Sequence, residues 1–506
     1  MTARDVSRAA MARIGPDDPR YGDLVRRGFN KRFAGRPDYV RLVGSTAQVV
    51  EAVQDAVREG ARLAVRSGGH CLEGFVADPA VRVVIDTSLM TDVSYDPERG
   101  AFAVEAGATL GEAYRKLFLG WGVTIPAGES PDLGMGGHVL GGAFGFLCRQ
   151  HGLAADHLYG VEVVVVDEAG SARSVVATRE PSDPNRDLWW AHTGGGGGNF
   201  GVVTRYWFRS PGAAEGTDPA ALLPKAPDRV VALRVAWSWD DVGEAAFARL
   251  VRNHGDWCER HHAADSPQAS VYGLLFLRRR QYGKIEMKAL AVGAGAEGLL
   301  EEHLAAVDDG VGVPHTRELE TTSWLAFALD PFPELFNVGK ESARVKVKDA
   351  FLRKRLTDRQ IEVAYRYLTR TDHDVPGGSL GLATYGGRVN TVAPDATASA
   401  QRDSVLSTSC SAGWGEPRDE ENALAWVRAF YRDLFAATGG VPVPGEACDG
   451  AMINHPDVDL ADPGWNTSGV PWHTLYYKDN YPRLQKVKAR WDPRDVFHHA
   501  LSVRPG

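Results

Sequence analysis

Cysteine is scarce: five residues in 506 (Cys71, Cys148, Cys258, Cys410 and Cys448), an odd number at wide spacings. That argues against a disulfide framework and for a reducing compartment. No run of ~18 apolar residues exists to span a membrane. The start, Met1-Thr2-Ala3-Arg4-Asp5, carries no apolar h-region, so the expectation is a cytoplasmic protein with no signal peptide and no membrane partner. Basic residues are not in excess: 57 against 65 acidic, a net charge of −8, with no basic cluster interleaved with aromatics. Nucleic acid is therefore excluded as the main partner. No His-Glu-x-x-His or Cys-x-x-Cys spacing offers a metal site, so none is expected. A P-loop is absent as well, and Gly134-x-Gly136 fails the dinucleotide fingerprint because Val139 stands where the third glycine belongs.

Glycine, by contrast, is abundant, at 56 residues. It concentrates at 134–145 and 194–201, in ligand loops rather than spread as general flexibility. Three stretches stand out: Arg66-Ser67-Gly68-Gly69-His70; Pro126-Ala127-Gly128-Glu129-Ser130 running on to Gly134-Met135-Gly136-Gly137-His138; and Thr193 followed by Gly194–Gly198. Such loops let the main chain wrap a large anionic ligand with its amide N–H groups turned inward. Hydrophobic content of 44% and charged content of 24% are those of a globular protein, with length for about three domain-sized units.

Along the chain, residues 1–35 read as a helical arm. Ser45-Thr46-Ala47-Gln48 reads as a capping box opening a helix that Gly60 stops. Strands are expected at 62–66, 83–86, 102–107 and 161–166, and Thr109 caps a second helix. Residues 36–210 thus form one α+β unit. A Pro-, Ala- and Gly-rich linker follows at 211–228. Beyond it strands (229–237, 270–277, 287–292, 379–385) alternate with helices (241–260, 296–307, 357–370, 419–437), and a helix at 481–491 ends at Asp492-Pro493. Arg344, Lys346 and Lys348 alternate on a further expected strand. They read as a solvated face, with contacts to an acidic or carbonyl substrate as the alternative. Gly377-x-Ser379-x-Gly381 imitates a hydrolase elbow, but the residues after Ser379 read as strand where that motif needs a helix.

The three loops, with Gly141-Gly142 and Asn199-Phe200-Gly201-Val202-Val203, resemble the FAD-binding domain of berberine-bridge-enzyme-like oxidases, the fold shared with vanillyl-alcohol oxidase and p-cresol methylhydroxylase. Trp472-His473-x-Leu475-Tyr476-Tyr477-x-x-Asn480-Tyr481 resembles that family's C-terminal segment. Ile453-Asn454-His455-Pro456-Asp457 is similar to its bacterial branch of aclacinomycin oxidoreductase and glycopeptide hexose oxidases. The resemblance implies an α+β protein with a p-cresol-methylhydroxylase-type FAD domain (1–210), a substrate domain with an antiparallel sheet covered by helices (211–455), and a C-terminal segment (456–506) returning to the FAD domain. It implies FAD held by Arg66, Ser67, Gly68, Gly69, His70, Gly128, Ser130, Gly134, Gly136, Gly137, His138, Gly141, Gly142, Gly198, Asn199, Gly201, Val202, Tyr477 and Asn480. His70 would be the covalent anchor.

Many relatives carry a cysteine thioether at the place of Ser130. A hydroxyl is a poor nucleophile without a base, so one covalent link is expected and not two. Phe144 and Met452 stand where aclacinomycin-type relatives place tyrosines, which leaves Tyr385 and Tyr477 as candidate catalytic residues. The implied activity is an FAD-dependent oxidase acting on a bulky secondary metabolite, a polyketide or a glycosylated natural product, with O2 as oxidant, in a monomer or homodimer. The alternatives are a flavin-dependent oxygenase of the monocovalent histidyl type and a flavin-bound cyclase or isomerase without net redox change.

Overall fold

Three sheets carry the chain, which the computed structural model describes over residues 12–213, 216–332 and 343–506. The first is formed by β1 (Arg13–Ile14), β2 (Tyr39–Leu42), β3 (Leu63–Arg66) and β4 (Val83–Asp86), in the order β1-β2-β4-β3. Its β2, β4 and β3 run parallel, which requires a crossover, and helix α1 (Thr46–Arg58) supplies it. Val49, Ala52, Val53 and Ala56 bury one face of α1 against this sheet. Ser45 accepts the Gln48 N–H as a cap should, but the Gln48 side chain accepts from Gly44 and not from Ser45. The expected capping box is therefore not reciprocal.

The second sheet is antiparallel throughout: β5 (Val93–Asp96), β6 (Ala101–Glu105), β7 (Leu158–Val166), β8 (Ala172–Thr178) and β9 (Val202–Phe208), in the order β5-β6-β9-β7-β8. Helix α2 (Leu110–Trp121) has a complete capping box between Thr109 and Glu112, and ends where Gly122 turns left-handed at φ 69°.

The third sheet has eight antiparallel strands: β10 (Arg229–Ser238), β11 (Val271–Arg278), β12 (Lys284–Val292), β13 (His315–Ser323), β14 (Arg344–Leu352), β15 (Ser379–Thr384), β16 (Leu406–Trp414) and β17 (Cys448–Gly450). Their order is β13-β10-β12-β11-β15-β16-β14-β17. Helices at Glu244–Arg260, Ala296–Asp308, Asp358–Thr369 and Glu420–Leu434 cover it, and one apolar core runs from here into the five-stranded sheet. Ser379 lies on β15 with its hydroxyl 2.9 Å from that of Ser411, so the elbow-like motif is strand.

Two further expectations change. Of the proposed helical arm, residues 1–11 lie outside the described residues; the rest contributes β1 and only a short helix, Tyr21–Arg26. The three residues alternating on β14 are also not a solvated face: Lys346 and Lys348 are buried. No helix among the described residues is long and apolar enough to cross a membrane.

Candidate functional site

The first two glycine loops are built against each other. Arg66, at the end of β3, makes a two-pronged bond to the buried Asp86 carboxylate (2.9 and 2.7 Å), and the Ser67 hydroxyl donates to the Ala106 carbonyl at 2.6 Å. A Cβ on Gly68 would lie 2.3 Å from the Gly134 nitrogen, and one on Gly134 would lie 2.1 Å from that of Gly68. The loops therefore meet backbone to backbone, a contact no side chain permits. His70 follows, its ring stacked on Phe29 (centroids 4.9 Å apart, planes at 7°). Across the second loop the Gly128 N–H donates to His138 Nε2 at 2.9 Å. An accepting imidazole is neutral, and burial, then the charges of His455 and His70, push His138 down to about 3. Beside it Gly137 is open, with nothing within 4 Å of a built Cβ.

The third loop is shaped from behind. Asn199 donates to the Gly195 and Gly196 carbonyls (2.9 and 3.1 Å) and accepts the Val503 N–H at 2.8 Å. Buried Lys488 donates to the Asn199 carbonyl at 2.8 Å, so the C-terminal stretch fastens directly onto the glycine run. A Cβ on Gly201, just before Val202 opens β9, would meet the Val164 carbonyl at 2.5 Å. Gly141 and Gly142 are closed in by Asn454 and Ser399. Among the described residues, the N–H groups of Gly68, Gly69, Gly197 and Gly198 have no acceptor. Fourteen of the nineteen residues expected to hold a ligand thus divide into two sets. Arg66, Ser67, Gly128, Gly134, Gly136, Gly141, Gly142, Asn199, Gly201 and Val202 shape the loops; Gly68, Gly69, Gly137 and Gly198 leave backbone or open space to a ligand.

The candidate tyrosines are committed elsewhere. Tyr385 is fully buried between Phe144 (4.9 Å) and Phe351 (4.8 Å), in an apolar cluster that includes Met452. Its hydroxyl donates to the Gln401 carbonyl at 3.3 Å, and burial raises its pKa far above the usual value. Tyr477 likewise donates to the Gly195 carbonyl at 3.0 Å, and burial raises it too. A buried phenol bonded to a carbonyl is a donor, not a base. Asn480 spends its amide on the Pro394 and Thr397 carbonyls (2.8 and 3.3 Å). The Cys148 thiol donates to the Pro126 carbonyl at 3.2 Å, and burial raises the Cys71 thiol to about 11.

Four ionisable residues at this end escaped the sequence reading. The Tyr272 hydroxyl on β11 donates to Glu129 Oε1 at 2.6 Å, and burial raises the Glu129 pKa against the opposing pull of Tyr272 and His455. His455 Nδ1 lies 3.4 Å from Asp349 Oδ2, on β14. Burial works to lower the His455 pKa, but Asp349 and then Glu129 outweigh it and raise it. Glu129 and His455 sit inside motifs already recognised, and their titratable character was the available signal. Tyr272 and Asp349 lie on ordinary strand positions, brought in by sheet order alone. Asn454 was passed over in the same way. It accepts the N–H of Ala143, whose φ of 61° strains a residue with a Cβ, and donates to the His138 carbonyl at 2.9 Å.

The β14 lysines form a buried ion cluster instead of a substrate contact. Lys346 bonds Glu73, three residues beyond His70, and lies 2.7 Å from Asp457; Lys348 bonds Asp457 and, at 2.9 Å, Asp459, which also takes Arg428 at 2.8 Å. Three carboxylates thus meet three cations inside the protein, with each side chain's remaining charge satisfied by another.

Residues 37–172 match the FAD binding domain family, and residues 451–504 the berberine and berberine-like family. The chain is 56% identical over 501 residues to aclacinomycin-N/aclacinomycin-A oxidase of Streptomyces galilaeus, covering 99% of this chain and 91% of that protein. It is 31% identical over 529 residues to hexose oxidase of Chondrus crispus, covering 96% and 93%. Among solved structures, a glycopeptide hexose oxidase complexed with teicoplanin superposes with a TM-score of 0.93 at 51% identity, over 98% of this chain and 99% of that one.

Proposed function

The chain belongs to the berberine and berberine-like family of FAD-linked oxidoreductases, and on that premise we propose that it oxidises a hydroxyl-bearing carbon of a bulky natural product, a polyketide or a glycosylated metabolite. The observation that carries the substrate class is the likeness to aclacinomycin oxidase along nearly the whole of both chains. We place the FAD domain at residues 1–210 with 456–506 returning to it, and the substrate cover at 211–455. The grip of Lys488 and Val503 on Asn199 supports that return. The enzyme would act in the cytoplasm as a monomer or homodimer.

The residues present fit FAD. The two loops approach without side chains, and the free N–H groups of Gly68, Gly69, Gly197 and Gly198 suit a pyrophosphate. Bound FAD supplies a hydride acceptor at N5 and passes the electrons to dioxygen, giving hydrogen peroxide. His70, its ring oriented by Phe29, would hold the flavin 8α carbon covalently. Ser130 would leave that link single, and the committed thiol of Cys148 is no substitute.

Anaerobic mixing with aclacinomycin N or teicoplanin tests the reading: the visible flavin absorbance should bleach, and air should restore it with one hydrogen peroxide per product. If neither probe bleaches the flavin, the substrate class is wrong. One observation favours a second reading, a monocovalent flavin oxygenase: the apolar cluster of Phe144, Tyr385 and Met452 holds no phenol free to act as a base. That reading requires isotope from labelled dioxygen to enter the product.

A further inference from the structure

Oxidising an alcohol removes a hydroxyl proton along with the hydride, and the buried apolar cluster of Phe144, Tyr385 and Met452 offers no group free to accept it. We propose that His455, oriented by Asp349, is the base that takes this proton; the inference rests on the oxidase reading above. His455 is fixed on three sides. Its neighbour Asn454 is tied to the second glycine loop through Ala143 and His138. Its own N–H donates to the Met452 carbonyl at 3.0 Å, and its carbonyl accepts the Tyr476 hydroxyl at 3.4 Å. Nδ1 is buried 3.4 Å from Asp349 Oδ2, a charge contact, and that carboxylate oxygen is held in place by the Met452 N–H, which it accepts at 3.3 Å.

The Asp349 side chain is 3% exposed and that of His455 44%. Nδ1 is buried, and among the described residues Nε2 has no hydrogen-bond partner, so Nε2 is the ring nitrogen left to meet a substrate. The imidazole therefore has a carboxylate behind it and an open nitrogen in front, the arrangement in which a carboxylate orients a histidine base and stabilises the imidazolium that forms. The charged groups around it come from several elements: Asp349 on β14, Glu129 on the second loop, and His138 beside His70, with Asp457 acting on Asp349. Glu129, held by Tyr272, offsets the positive charge that His455 gains.

The step balances. The carbinol C–H electron pair leaves with its hydrogen as hydride to the flavin, the O–H proton passes to His455 Nε2, and the carbon becomes a carbonyl. Dioxygen later takes up two electrons and two protons as hydrogen peroxide, one of those protons returned by His455.

Nitrogen-15 NMR of histidine-labelled holoenzyme, with the His455 signals identified by their loss in His455→Gln, reads the tautomer without any substrate. The expected result is a protonated Nδ1 and a bare Nε2, titrating above the ~6.5 of an ordinary histidine, with the midpoint falling in Asp349→Asn. A protonated Nε2 in the neutral ring overturns the proposal. With aclacinomycin N as probe, His455→Ala should slow anaerobic flavin bleaching by about 10²–10⁴-fold without changing the flavin spectrum, and imidazole in the buffer should restore part of the rate. A His455→Ala enzyme that bleaches at the wild-type rate and with the wild-type pH profile also overturns it. If wild-type enzyme ignores the probe, the substrate class falls and the tautomer alone decides the role of His455.

Discussion

His70 and Ser130 lie on adjoining loops and differ in what each can bond. An imidazole nitrogen is a competent nucleophile at neutral pH, whereas an unassisted hydroxyl is not. Acid-denatured protein should therefore stay yellow, His70→Ala should release its flavin, and Ser130→Cys should add a second attachment. The masses of flavin-bearing peptides before and after digestion check all three outcomes. The pH profile of flavin bleaching belongs to this scale as well. His455 must be unprotonated to act, and Asp349 and Glu129 raise its pKa, so the rate should climb with pH through a midpoint above ~6.5. At this scale the glycine motifs were legible as places of close backbone approach, as between Gly68 and Gly134. A tyrosine's position in a motif does not reveal what its hydroxyl bonds, and the carbonyl partners of Tyr385 and Tyr477 emerge only from the fold.

Among the elements, helices were legible where a cap and a 3.6-residue apolar period coincide, as at Thr109 and Thr357. Thr109→Ala removes one such cap and should cost about 1 kcal/mol, measured by urea unfolding. Three strands of the third sheet were not legible, the three-residue β17 being too short to show a period. β16 alternates buried and half-buried positions, but its run Leu406-Ser407-Thr408-Ser409-Cys410-Ser411 marks that alternation with small polar residues instead of apolar ones. β13 is an edge strand whose residues are mostly exposed and charged or polar, so it has no apolar period to show. The alternation on β14 was visible, but its meaning was not, because the partners of Lys346 and Lys348 lie far away in the chain at Glu73, Asp457 and Asp459. Lys346→Met would leave Glu73 and Asp457 short of a cation in a dry setting. A loss of about 3–5 kcal/mol is expected, again by urea unfolding.

For the molecule as a whole, buried neutral histidines set the response to mild acid. Burial lowers His192, His254 and His499 to about 4, against ~6.5 in an unfolded chain. Between those values the unfolded chain binds more protons, so stability should fall as pH drops from ~6.5 towards 4. Burial works to raise Asp459, but Lys348 and Arg428 outweigh it and hold the carboxyl below its usual range. Its stabilisation is present above ~3.9 and is lost as the pH falls further. Melting temperatures recorded from pH 7 to pH 3 should show both declines, and Asp459→Asn should remove the pH dependence that Asp459 contributes. The α+β plan, with its FAD-binding family motifs and an antiparallel sheet backed by helices, was legible from loop motifs and their order; how the parts are joined was not. That joint limits recombination between relatives. Glu73 lies in the segment that carries the glycine loops, while Lys346, Lys348, Arg428, Asp457 and Asp459 belong to the later part of the chain. A chimera that imports everything after β13 from a relative inherits Lys346, Lys348, Arg428, Asp457 and Asp459 but leaves their partner at position 73 behind, so that part should transplant intact only when the single acidic residue at 73 travels with it.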